Sequence, residues 1–197
     1  MILDEFKFAY ENEEEIINKN FFDEEAQLEF SHLQISKTEF KNCRCVSSKL
    51  THSFISDVTF TNCDFSNTDF SDSSFTDVTF IDCKFFGCKF MNNSIRRVKI
   101  ENSNFSYSNF DSSSLKKVDF LNSKLDYFAL SLCKLDKVKF DNTSLIAASL
   151  VGTKLYGIDF RTSSIDGIIV KLDDIKGMIV NEWQALELAK LMEIEIR

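Results

Sequence analysis

The run Val58-Thr59-Phe60-Thr61-Asn62-Cys63-Asp64-Phe65-Ser66-Asn67-Thr68-Asp69-Phe70-Ser71-Asp72 places a phenylalanine at every fifth residue. Extended both ways, the frame holds from Phe30 to Val180. All 31 of its positions are apolar, and 14 of the chain's 21 phenylalanines occupy them. A second register lies two residues earlier. Between Thr38 and Ser163, 23 of its 26 members are Ala, Cys, Ser, Thr or Val; Asn93, Phe128 and Ile158 are the exceptions. The glycines Gly87, Gly152, Gly157, Gly167 and Gly177 all stand two residues after a central apolar residue.

No regular element has this period. Five residues advance an α-helix by roughly 140° beyond a full turn, which would spiral the apolar side chains around it. A straight strand would turn every second central residue to solvent. The chain must therefore bend within each group of five. A longer repeat sets the number of bends per circuit. Val58-Thr59-Phe60-Thr61-Asn62-Cys63 returns as Val78-Thr79-Phe80-Ile81-Asp82-Cys83, then as Val98-Lys99-Ile100-Glu101-Asn102-Ser103 and Val118-Asp119-Phe120-Leu121-Asn122-Ser123. Twenty residues is four groups of five, which predicts a four-sided coil whose like residues stack about 4.8 Å apart. Ordering one group costs roughly 5–10 kcal/mol of backbone entropy. Burying its central side chain returns only about 1.5–3 kcal/mol. Each coil must then depend on its neighbours, and stability becomes quasi-one-dimensional.

Composition narrows the class further. A chain of 197 residues, 44% apolar and 27% charged, is about one globular domain. The absence of proline and the five glycines leave few ordinary turn-makers, which argues against a many-stranded sandwich or a long-looped enzyme. No apolar run approaches the roughly 18 residues of a membrane helix, and Met1–Lys7 carries acid where a signal sequence would carry base. A cytoplasmic location without membrane contact is expected. The net charge of −8 is uneven. Residues 1–29 hold ten acids and two bases, while residues 30–197 hold 21 of each.

Cys63-Asp64-Phe65-Ser66-Asn67 and Thr68-Asp69-Phe70-Ser71-Asp72, with the looser Ile158-Asp159-Phe160-Arg161-Thr162, resemble the pentapeptide-repeat family. Its consensus is a small residue, Asp or Asn, Leu or Phe, a polar residue, then Gly or any residue. The resemblance covers about three quarters of the chain. It implies an all-β fold, a right-handed quadrilateral parallel β-solenoid over residues 29–180. Residues 1–28 would form an acidic N-terminal cap or a partly loose segment. Residues 181–197 read as a helix and strand that cap the other end. Asn181 can N-cap the helix, Gln184 sits at the capping-box position, Glu182 suits the helix dipole, and Ile194 and Ile196 alternate as a short strand.

The Glu182-Trp183-Gln184 start, the leucine-rich helix and the final strand resemble the C-terminal end of the Qnr/MfpA subgroup. In that subgroup this end forms a twofold dimer, so the resemblance implies a homodimer interface containing Trp183, Leu186, Leu191 and Ile194. Members of the subgroup are dimeric rods that resemble duplex DNA, bind DNA gyrase and topoisomerase IV, and alter quinolone action. The resemblance implies a similar non-enzymatic role here. The chain departs from it in two ways: its frame has no protruding loops, and its body is electroneutral with one basic side.

The remaining residues offer little chemistry for catalysis. Cys43, Cys63, Cys83, Cys88 and Cys133 lie in the small register and Cys45 at a central position, as buried thiols would. There is no Cys-x-x-Cys, and His32 and His52 fall in an outward register. No catalytic residue, cofactor, metal or small-molecule substrate is expected. Surface charge is more informative. Asp57, Asp64, Asp69, Asp72, Asp77 and Asp82 occur between Lys49 and Lys84 with no base among them, and spread over four sides as an acidic belt. Arg96, Arg97, Lys116, Lys117, Lys134, Lys137 and Lys154 share one side as a basic stripe. Such a stripe is ordinarily a solvated face; its functional reading is a site for an anionic partner or nucleic acid. Direct nucleic-acid binding ranks last among the partners. A structural or adaptor module that meets its protein partner through Phe86, Tyr107, Tyr127 or the acidic belt is the main alternative.

Overall fold

A computed structural model describes residues 1–192. One backbone device turns the five-residue frame into a coil. Every fifth residue from His32 to Gly177, except Thr162 and Leu172, lies at positive φ in the left-handed region. This residue sits two places after the central one and closes the corner. Glycine, Asn and Asp fill many of these places because they tolerate the conformation best.

The order of elements is α1 (Ile2–Asn12), β1 (Ile16–Ile17), β2 (Asn20–Phe22), β3 (Glu29–Ser31), β4 (Gln34–Lys41), β5 (Lys49–Thr51), β6 (Phe54–Thr61), β7 (Ser74–Ile81), β8 (Ser94–Glu101), β9 (Ser114–Leu121), β10 (Lys134–Asp136), β11 (Lys139–Asp141) and α2 (Glu182–Ala189), followed by a 3-10 turn (Lys190–Met192). All strand pairing is parallel, and from β3 onward its step is twenty residues. Ile35 pairs with Ile55, Phe60 with Phe80 and Val98 with Val118. Strands β4, β6, β7, β8 and β9 form one continuous ladder; β10 and β11 both pair with β9, and β3 and β5 form a second sheet. On a third side the same step runs through isolated bridges, Arg44 to Asp64, Lys84, Asn104, Lys124, Ser144 and Ser164. The result is a four-sided parallel β-solenoid.

The central residues fill its axis. All are buried except Phe30, Leu135, Val170, Ile175 and Val180, which are half-buried against the same core. Like rings lie over one another: Phe60 and Phe80 are 5.0 Å apart at 10°, Phe85 and Phe105 5.0 Å apart at 5°, and Phe120 and Phe140 5.0 Å apart at 5°. Neighbouring columns meet edge to face, as Phe60 and Phe65 do at 86°. Each such pair adds about 0.5–1.5 kcal/mol beyond burial.

The small register satisfies the corners as well as fitting them. The amides of Cys83, Cys88 and Ser103 donate to the hydroxyls of Ser103, Ser108 and Ser123 one coil on, at 3.0–3.1 Å. The Ser108, Ser113 and Thr143 hydroxyls in turn donate to the carbonyls of Phe85, Phe90 and Phe120. Cysteines share this scheme: the amides of Cys43 and Cys63 donate to the sulfurs of Cys63 and Cys83. All six thiols are free and buried. Burial pushes Cys45 and Cys88 up to about 12 and Cys133 up to about 11. Phe128, oversized for the register, points inward and is fully buried 4.8 Å from Phe110. Leu115, Leu125 and Leu130 leave the space it fills, since three central positions of that coil hold leucine rather than phenylalanine.

The ladder also reaches into the acidic N-terminal segment. Ile16 pairs with Ile35 and Phe21 with Phe40, a step of nineteen, so the frame there is shifted by one residue. Before it stands α1, whose Ile2, Phe6 and Ala9 are buried over the first coils, with Phe6 5.9 Å from Phe21. Asp4 and Glu5 lie in its first turn, where the helix dipole favours them. Glu13 ends it at φ 55° with its amide bonded to the Ala9 carbonyl.

Some corners hold residues poorly suited to them. Leu132 is at φ 58° and 69% exposed. A non-glycine side chain in this region costs about 1–2 kcal/mol. The substitution Leu132→Asn is expected to raise the melting temperature by about 2–4 °C for a gain near 1 kcal/mol, read by thermal denaturation.

Candidate functional site

Three surface regions carry the exposed chemistry: the C-terminal end, the acidic set and the basic side. At the C-terminal end α2 is held by its first turn. The Gln184 amide donates to Asn181 Oδ1 at 3.0 Å, and the Asn181 amide donates to Gln184 Oε1 at 2.9 Å, a complete capping box. Gln184 does more than cap. Its Nε2 donates to the Phe160 and Ser163 carbonyls at 2.8 and 2.7 Å, and the residue is buried. These bonds seal the last coil from the core side of the helix. In α2 Trp183 is 79% exposed and Leu186 44%. Leu191, in the turn that follows, is 37% exposed and borders Ile165, Ile168 and Leu188. Ile194 and the expected final strand lie outside the described residues.

A buried carboxylate closes the same end. Asp174 Oδ2 accepts from the Gly152 amide at 2.7 Å, and Oδ1 accepts from Lys154 Nζ at 2.9 Å. Nothing in the five-residue frame marks Asp174 as inward, because the pattern decays around Asp173 and Met178.

The acidic set is spread over four sides, and much of it is answered. Asp64 lies 3.6 Å from Lys84, and Asp69 lies 3.9 Å from Lys89. Asp77 takes the Nε and Nη2 of Arg97. That fork holds the Asp77 carboxyl below the usual carboxylate range. Asp72 accepts from Asn92 at 3.1 Å and lies 3.9 Å from His52. His52 in turn stacks on His32 at 4.9 Å. Asp57 and Asp82 make no side-chain hydrogen bond among the described residues.

The basic residues share one side, all exposed. Arg97, Lys116 and Lys154 have partners in Asp77, Asp136 and Asp174. Arg96, Lys117, Lys134 and Lys137 have no ion pair among the described residues. Arg96, Arg97, Lys116 and Lys117 enclose a cleft of about 150 Å³. On another side Phe86, Tyr107 and Tyr127 form an outer ladder with ring separations of 5.1 and 4.7 Å; both tyrosines are more than half exposed.

Among the described residues no group of three or more His, Cys, Asp or Glu side chains is placed to hold a metal ion. Among the same described residues no helix is long and apolar enough to cross a membrane.

Two family profiles match the repeat. The family profile described as a pentapeptide repeat region matches residues 93–169, and that for pentapeptide repeats in eight copies matches residues 55–91. No curated protein matches the sequence. Among solved structures, full-length QnrB1, a plasmid-mediated fluoroquinolone resistance protein, is 15% identical over 89% of this chain and 96% of its own, with a TM-score of 0.32. HetL from Nostoc sp. strain PCC 7120, involved in regulation of heterocyst differentiation, is 13% identical over 89% and 96%, with a TM-score of 0.44. Rfr23 from Cyanothece 51142 is 12% identical over 70% and 91%, with a TM-score of 0.26.

The environment of Asp174 yields a pH prediction. Hydrogen bonds from Lys154 and Gly152 hold its carboxyl below the ordinary range. The folded state thus binds this proton less readily than the unfolded chain. The contribution is complete above pH about 4 and is lost as the pH falls through the lower folded value. Asp174→Asn should melt below the parent protein at neutral pH, and the gap should close as the pH falls below the ordinary carboxylate range, in thermal melts across pH.

Proposed function

The chain belongs to the pentapeptide-repeat family, and we propose that it acts without catalysis, as a cytoplasmic homodimeric rod that docks on DNA gyrase or topoisomerase IV and modulates quinolone action. The exposed apolar residues of α2 carry this reading. A helix needed only to seal the coil would bury its apolar residues. Here Gln184 and the half-buried Leu188 do the sealing, and Trp183 and Leu186 are left exposed. A twofold axis through this end would bury them against their copies, an isologous contact. The dimer would be a rod with acids on every side, able to compete for a surface that normally receives duplex DNA. Pairing of Asp64, Asp69 and Asp77 with bases reduces the field such a rod presents.

A second reading rests on the Phe86–Tyr107–Tyr127 ladder. Tyr107 and Tyr127 sit at φ 62° and 57°, corner positions that cost a bulky residue strain. Exposed tyrosines in a rigid array suit an adaptor surface for a protein partner.

Two experiments decide between these. Light scattering should give a dimer for the parent protein and a monomer for Trp183→Glu; a monomeric parent, or a variant that stays dimeric, contradicts the interface. In gyrase supercoiling assays with and without ciprofloxacin, micromolar protein should inhibit the reaction or protect it from the drug. No effect in either format rejects the topoisomerase reading. Loss of the gyrase effect in Tyr107→Ser with Tyr127→Ser would instead make the aromatic ladder its contact surface.

A further inference from the structure

The twenty-residue step sets charge against charge in a regular way on three sides of the coil. One column runs Arg44, Asp64, Lys84, with Glu25 nineteen residues before Arg44 beneath it, and another runs Glu29, Lys49, Asp69, Lys89. A third runs Lys99, Asp119, Lys139, Asp159. Signs alternate along each, as expected where stacked neighbours lie about 4.8 Å apart and like charges directly opposite destabilise.

The fourth side breaks the rule. Arg96 pairs in register with Lys116. At the same step Lys117 follows Arg97, Lys137 follows Lys117, and Lys154 follows Lys134. All four cation-over-cation steps of the chain fall on this side. The single acid-over-acid step, Asp57 to Asp77, lies there too, and Arg97 answers it. Across residues 93–97, 113–117, 133–137 and 153–157 this side holds seven bases and one acid, Asp136. Arg97, Lys117 and Lys137 also occupy left-handed corners, so folding bears both repulsion and backbone strain here. Among the described residues three of the seven cations are answered, and Asp77 and Asp136 leave a net +2 around the cleft of Arg96, Arg97, Lys116 and Lys117.

We propose that this side is a binding site for the phosphodiester backbone of duplex nucleic acid, with the four-cation cleft as its anchor. Cations repeated over four successive coils match an anion that repeats, not a single small ion. No aromatic side chain lies among the cations between residues 93 and 137 of this side, and Tyr156, 83% exposed, stands only on the last coil beside Lys154, so the anchor cleft recognises charge on the backbone rather than stacking bases. The acidic excess of the chain does not oppose this, because it is confined to residues 1–29 at the far end of the coil. The site is independent of the C-terminal interface proposed above.

Fluorescence anisotropy of a labelled duplex of about 20 base pairs, titrated with full-length protein across NaCl concentrations, tests it. Four unpaired cations predict a slope of log affinity against log salt of about −3 to −4. The double variant Arg96→Gln, Lys117→Gln should bind about tenfold more weakly or worse and lose about two units of slope. Lys49→Gln with Lys84→Gln makes the same change of net charge on alternating columns and should bind as the parent does. Thermal melts give a separate readout: Lys117→Gln should melt at or above the parent temperature, since it relieves a like-charge stack. Absence of binding at low salt, equal loss in the control variant, or a markedly lower melting temperature for Lys117→Gln would each overturn the proposal. Displacement of the duplex by polyglutamate at equal charge would overturn it in favour of an acidic protein partner.

Discussion

From His32 to Gly157 each side of the coil ends in a residue held at positive φ, and the structure depends on that bend. Without it a central residue would face outward on alternate groups, and no axis of stacked rings could form. With it, a residue four bends later lies directly over its predecessor, so one backbone conformation sets the parallel register, the ring columns and the corner hydrogen bonds together. The bend is inexpensive for Gly, Asn and Asp and costly for Tyr107, Tyr127 and Leu132. The places where the chain accepts that cost are therefore informative.

Because each coil contacts only its neighbours, composition along the axis can drift without loss of fold. Beyond Leu115 leucine takes three of the four central columns, the Phe120–Phe140–Phe160 column persists, and Phe128 fills the volume this frees. Asn93 shows the limits of such substitution. It replaces a small residue at a corner and accepts from the Ser73 amide, yet its Nδ2 is buried without a partner.

Much of this was legible in the sequence because the governing quantity is a period. The frame from Phe30 to Val180, the four sides and the Asn181–Gln184 capping box follow from spacing alone. The helix α1 and the first rungs did not emerge from that frame. Ile16, Phe21 and Ala26 are one residue out of phase with it, and Ala26 carries little apolar signal. The hydrophobic spacing of Ile2, Phe6 and Ala9, with Asp4 and Glu5 in front, was the available sign of the helix. The acidic belt was visible as composition, but its neutralisation by Lys84, Lys89 and Arg97 appears only when residues twenty apart are set over one another. Asp174 and the sealing role of Gln184 depend on local geometry where the repeat decays, and spacing does not encode that.

The four-sided register constrains length: the structure tolerates removal of a whole circuit far better than removal of one side. Deleting residues 99–118 should leave a chain that still unfolds cooperatively with a β-type circular dichroism spectrum, because every remaining residue keeps a like neighbour above it. Deleting only residues 99–103 should lower stability far more, since the four sides that follow the cut would each stack on the wrong one. Equal stability of the two deletions in a denaturant titration would contradict the four-sided register on which the structure rests.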